Sequence, residues 1–82
     1  MEDTIRKVLA AYAKLPVDVA TLGNQTDLYT IGLTSHASVN VMLGLEDAFD
    51  IEFPDSLLRK DTFQSIAAIA DALGGLVDTA NV

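Results

Sequence analysis

Ser35-His36 sets a hydroxyl nucleophile beside the one histidine of the chain. Neighbours in sequence do not face each other on a helix, so the imidazole cannot serve that hydroxyl as a base. No cysteine and no second histidine exist to build another nucleophile–base pair,. No catalytic residue is therefore expected. His36 reads as an exposed side chain on a recognition surface, or as ordinary surface. The Ser35 hydroxyl has two other uses. It can cap a helix, serine being a preferred capping residue. It can also carry a phosphate ester, because free amides and the helix dipole stabilise an anion at a helix start by about 0.3–1 kcal/mol. Both uses fit one fold, and on the residues alone the cap is the commoner.

The second candidate set is acidic: Glu46, Asp47, Asp50, Glu52 and Asp55. A calcium loop starting at Asp47 places Phe49 and Ile51 at ligand positions, and one starting at Asp50 places Pro54 there. Neither has the required glycine or the closing glutamate. No metal site is expected, and a solvated acidic face that docks basic partners is the stronger reading. Twelve acidic residues stand against five basic ones, for a net charge of −7. Such a chain repels nucleic acid phosphates and meets basic protein surfaces faster.

The elements that must position these residues follow from apolar spacing. Ile5, Val8, Leu9 and Tyr12 make one stripe on a first helix, Asp3 to Leu15, capped by Asp3 or Thr4 and ended by Pro16. A long connection, Pro16 to Thr34, holds Val17, Val19, Leu22, Leu28, Tyr29, Ile31 and Leu33, too many apolar groups to leave in water. It is expected to lie across the bundle, with Gly32 in a conformation that a branched residue avoids. A second helix runs from Ser35 to Phe49. Val39, Met42, Leu43 and Phe49, with Glu46 among them, mark its apolar face, and Leu45 its edge. Gly44 inside it costs about 1 kcal/mol relative to alanine, which suggests a close neighbour or no reason at all.

Asp50 to Pro54 is extended, since Pro54 forbids helix at its predecessor. One short helical turn, Leu57 to Lys60, should point its leucines inward. A last helix starts at Asp61-Thr62, with Asp61 and Gln64 as a capping box, and presents Phe63, Ile66, Ala67, Ile69, Ala70 and Leu73. Gly74-Gly75 should stop it, leaving 76–82 as a flexible tail. The sum is an all-α, four-helix bundle: three main helices, one short helix, and a long loop between helices one and two.

At 82 residues this is one small domain, burying somewhat over ~60% of its unfolded surface. Half of the residues are apolar, which excludes disorder,. The start carries Glu2, Asp3, Arg6 and Lys7 in an amphipathic pattern, unlike a signal peptide. The longest apolar run, Ile66–Ala70, is far short of the roughly 20 residues that a membrane helix needs. A cysteine-free chain fits a reducing compartment, and a cytoplasmic location is expected.

Asp27-Leu28-Tyr29-Thr30-Ile31-Gly32-Leu33-Thr34-Ser35 resembles the segment of acyl carrier proteins and peptidyl carrier domains that ends in the modified serine. The resemblance continues through Val39, Met42, Leu43, Leu45, Glu46 and Phe49, then Ile51-Glu52-Phe53-Pro54 and Asp61-Thr62, covering roughly residues 3–75. It implies a carrier domain over 1–75 with the acyl-carrier-protein-like bundle, and a carrier rather than a catalyst. Ser35 would hold 4′-phosphopantetheine, attached covalently from coenzyme A by a phosphopantetheinyl transferase. The thiol of that arm would carry an acyl or aminoacyl group as a thioester, presented to partner enzymes.

Where the family usually has an acid before the serine and a leucine after it, this chain has Thr34 and His36. Ala37 and Asn40 replace commonly acidic positions of helix two, while Glu46 and Asp47 stay acidic. The implied recognition surface is Thr34, His36, Ala37, Asn40, Val41, Gly44, Glu46 and Asp47. These departures make the chain similar to free-standing amino acid carriers loaded by aminoacyl-tRNA-synthetase-like ligases; a monomer that hands its cargo to a downstream acceptor enzyme is expected. The thin bundle should shelter long acyl chains poorly. The reading from another class is an acidic helical adaptor that binds a protein partner and is never modified.

Overall fold

The computed structural model describes residues 2–80, with side chains through Leu76. Three α-helices carry the fold: α1 (Glu2–Tyr12), α2 (Ser35–Phe49) and α3 (Ile66–Ala80). Three short 3₁₀ turns, Val19–Thr21, Asp55–Leu57 and Lys60–Phe63, punctuate the connections, and no strand occurs among the described residues. The bundle is all-α as expected, with two turns where one short helix was predicted.

Helix α1 packs on both α2 and α3. Ile5 and Leu9 from α1, Leu28 from the long loop, Val41 and Leu45 from α2, and Ile66, Ile69 and Leu73 from α3 are fully buried between them. Phe53 and Phe63 close one end, their ring centroids 5.6 Å apart and tilted by 54°.

Helix α1 stops at Tyr12, short of the predicted Leu15. Lys14 adopts a left-handed conformation (φ 53°), so the chain reverses two residues before Pro16. The long loop does lie across the bundle. Val19, Leu28 and Leu33 are buried, and of its valines, leucines and isoleucine only Val17 stays exposed. Arg6 of α1 holds the loop from the side, donating from Nη1 to the Val19 carbonyl at 2.7 Å and from Nη2 to Asn24 Oδ1 at 2.8 Å. From the other side, Leu28 N–H donates to the Gln64 carbonyl at 2.7 Å, and Ala67 N–H to the Asn24 carbonyl at 2.9 Å.

Helix α2 has the predicted bounds but is rotated about its axis. Val41, Gly44 and Leu45 face inward, whereas Val39 and Leu43 are half exposed, at 50% and 53%. Gly44 has a packing reason. A Cβ there would lie 2.7 Å from ring carbons of Tyr12 and 2.9 Å from Val8 Cγ1, so α1 and α2 meet over a missing side chain. That contact uses Tyr12, whose ring lies over the helix crossing instead of entering the core and stays 44% exposed.

The last helix corrects three expectations. Asp61-Thr62 belong to the preceding 3₁₀ turn, and α3 begins at Ile66. Its cap is Ser65, whose Oγ accepts from Ala68 N–H at 3.0 Å, so the Asp61–Gln64 box is not used. Gly74-Gly75 do not stop the helix, which runs on to Ala80. A glycine stop needs a positive φ, and among the described glycines only Gly32 has one,. Of the predicted tail, 76–80 is thus helical, and 81–82 lie outside the described residues. In the connection before α3, Leu57 is half-buried but Leu58 is 48% exposed, against the expectation that both point inward.

Candidate functional site around Ser35

The approach to Ser35 is built by Asp27. Its Oδ1 accepts from Tyr29 N–H at 3.0 Å and from Thr30 N–H at 3.4 Å, folding residues 28–32 into a turn. Desolvation pushes the Asp27 carboxyl upward, but hydrogen bonds from the Thr30 side chain, the Thr30 and Tyr29 amides and Gln64 outweigh it. The group is held below its ordinary value of 3.8. Leu28 and Leu33 anchor the two ends of the turn in the core, joined by Leu33 N–H donating to the Leu28 carbonyl at 2.9 Å. Gly32 reverses the chain with φ +126°, and a Cβ there would stand 3.0 Å from Pro16 Cδ. Glycine is therefore required on both conformational and steric grounds.

Thr34, and not Ser35, is the helix cap. Its backbone is extended (φ −94°, ψ 162°) and its Oγ1 accepts from Ala37 N–H at 3.0 Å. Ser35 is the first helical residue. Its side chain is exposed and its Oγ makes no hydrogen bond among the described residues, while its carbonyl accepts from Ser38 Oγ at 2.7 Å. The hydroxyl is thus spared from structural work and open to solvent at the positive end of a 15-residue helix,. His36 is exposed and forms no hydrogen bond with Ser35.

The predicted recognition surface divides. His36 and Asp47 are exposed and Asn40 half-buried on the outward side of α2, which also carries the exposed Val39 and Leu43,. Thr34 is exposed but occupied as the cap, and Ala37 is half-buried. Two members lie elsewhere. Val41 is fully buried in the core, and Gly44 is covered by Tyr12 and Val8, so neither can touch a partner. Glu46 is half-buried, with Oε2 accepting from Phe53 N–H at 2.8 Å, which ties the extended 51–54 segment to α2.

A groove of about 420 Å³ opens beside Ser35, lined by Tyr29, Ser38, Val39, Met42 and Phe63, and by the 58–60 segment. This surface offers room beside the serine. Leu58, Arg59 and Lys60 are the site residues that sequence reasoning missed. A basic pair 24 positions after a serine carries no signal of proximity, since Arg6-Lys7 is an equally good pair and lies elsewhere.

The sequence profile of the phosphopantetheine attachment site matches residues 3–73. The chain belongs to that family. Its cofactor is covalent 4′-phosphopantetheine, and an exposed, unbonded hydroxyl at the mouth of a groove fits such a group. Among relatives, the chain is 51% identical to an aminoacyl carrier protein of Agrobacterium fabrum (strain C58), over 95% of its own length and 94% of the relative's. A structure of engineered Bradyrhizobium japonicum glycine:[carrier protein] ligase with a carrier protein from Agrobacterium tumefaciens and AMP contains a similar chain. The two share 53% identity at a TM-score of 0.88, covering 90% of this chain and 99% of that one. The Bradyrhizobium japonicum ligase complexed with a glycylated carrier protein matches at 31% identity and a TM-score of 0.73, over 87% and 95% of the two chains. The chain is therefore a carrier protein, a homologue of aminoacyl carriers, and the alternative of a never-modified adaptor gives way. Among the described residues, no helix of this carrier is long and apolar enough to cross a membrane.

Proposed function

We propose that Ser35 is the attachment residue of this carrier and that its cargo is an amino acid. The observation that carries this reading is the division of labour at the start of α2: Thr34 Oγ1 caps the helix while Ser35 Oγ stays free and exposed. Once bound, the cofactor supplies a thiol, which a chain without cysteine lacks. The residues of the chain hold and aim that thiol and perform no chemistry on the cargo. A separate phosphopantetheinyl transferase installs the arm. An amino acid ligase of the aminoacyl-tRNA-synthetase-like kind then loads it, in keeping with the glycine ligase found with similar carriers. A downstream enzyme accepts the cargo, and the carrier works as a monomer in the cytoplasm.

Intact mass tests the reading directly. Incubation with coenzyme A and a broad-specificity transferase should add one arm to the chain, and Ser35→Ala should abolish the gain completely. The loaded form should then accept glycine from a glycine:[carrier protein] ligase with ATP. An unchanged mass for the native chain, or an arm retained by Ser35→Ala, overturns the assignment.

A further inference from the structure

The groove beside Ser35 has an uneven chemistry. Tyr29, Val39, Met42, Leu58 and Phe63 give it apolar walls, its charged lining groups are Arg59 and Lys60, and no carboxylate lines it. Arg59 is paired with Asp61 at 3.5 Å. Lys60 has no carboxylate partner among the described residues; its Nζ stands over the Tyr29 ring, 4.9 Å from the centroid. In a chain of net charge −7, this corner is locally cationic, and it adjoins the free hydroxyl.

We propose that Lys60 is a positioning residue for the arm, pairing with the phosphodiester at Ser35, and that the carboxylate-free apolar groove beyond it leaves a protonated aminoacyl end in solvent while admitting an uncharged acyl end. The proposal rests on Ser35 being the attachment residue. A phosphodiester formed there carries its negative charge at the groove mouth, where an unpaired ammonium on an aromatic platform attracts it. At the far end of the arm the penalty is desolvation. An α-ammonium would lose water in the apolar walls and find no carboxylate there,. An uncharged acyl group meets no such penalty. The aminoacyl end therefore stays in solvent, open to an acceptor enzyme, while the phosphate end stays fixed.

Two cargoes that differ by the ammonium alone separate these effects. The arm-bearing protein is prepared with an acetyl thioester and with a glycyl thioester at about pH 6.5, where an α-amino group is charged. Methyl resonances of Val39, Met42 and Leu58 report occupation of the groove, and the ³¹P resonance of the arm reports its pairing. Acetyl should shift the groove methyls and glycyl should leave them near their cargo-free positions. Lys60→Gln should move the ³¹P resonance and loosen the arm, lowering the docked-to-free ratio of the acetyl form by roughly two- to fivefold, as expected for one exposed charge. Arg59→Gln, whose charge already has a partner, should do less. Equal methyl shifts for the two cargoes, an unmoved ³¹P resonance in Lys60→Gln, or a larger effect from Arg59→Gln each overturn the proposal. If Ser35 takes no arm by mass, the attachment reading falls and this one with it. If the arm is present and the spectra are indifferent, only this one falls.

Discussion

The two faces of α2 share one backbone and comparable aliphatic content, yet they do opposite work. The inner face presents Val41, Gly44 and Leu45 to α1 at contact so close that one position tolerates no Cβ. The outer face presents Val39 and Leu43 to solvent beside His36, Asn40 and Asp47, and adjoins the groove and the Ser35 hydroxyl. The difference teaches that hydropathy alone does not distinguish a residue that holds the fold from one that stays available to a partner.

Cutting into each face should break the symmetry of composition most visibly. Leu45→Ala should cost about 2–5 kcal/mol in a denaturant titration, because a fully buried leucine leaves a cavity,. Leu43→Ala, two residues away and half exposed, should stay within about 0.5 kcal/mol of the parent. Gly44→Ala is the next largest change expected, about 1–3 kcal/mol of overpacking against Tyr12 and Val8,. Tyr12→Ala in the same chain should return part of that loss, since it removes the nearer obstacle; full additivity would contradict the close approach.

The start of the helix offers a finer contrast. Thr34→Ala removes the cap and should lower stability by about 0.5–2 kcal/mol,. Ser35→Ala should leave the melting curve within about 0.5 kcal/mol of the parent while abolishing arm attachment. Equal losses from the two would return Ser35 to a capping role. The smallest effect belongs to Asp27. Its folded value lies below the ordinary 3.8, so its contribution is fully present above that pH and is lost as pH falls through the lower folded value,. The protection of the Tyr29 and Thr30 amides against exchange, relative to their intrinsic rates, should fall in that acidic window, and Asp27→Asn should flatten the dependence,.

Several elements were legible without the structure because local rules decide them. Helix α2 has the bounds that its spacing predicts, and the long loop buries the aliphatics it could not leave in water. Gly32 takes the positive φ its position demanded. The misreadings have one kind of cause. Lys14 reverses the chain before Pro16 forces it, and Gly74-Gly75 lack the positive φ that would turn a permissive residue into a stop. Thr34 took the cap from Ser35 because either hydroxyl satisfies the propensity, and the turn from Asp27 to Leu33 fixes which residue is still extended when the helix begins.

By itself the sequence determined that this is a small acidic helical bundle and which serine stands at the start of its second helix, since composition, periodicity and motif are properties of the chain in order. Tertiary packing decided the rotation of α2, which exposes Val39 and Leu43 and buries Val41, and it brought Arg59 and Lys60 to the groove beside Ser35. Periodicity fixes the width of an apolar stripe but not which neighbour covers it, and contacts between segments far apart in the chain exist only once the helices have packed.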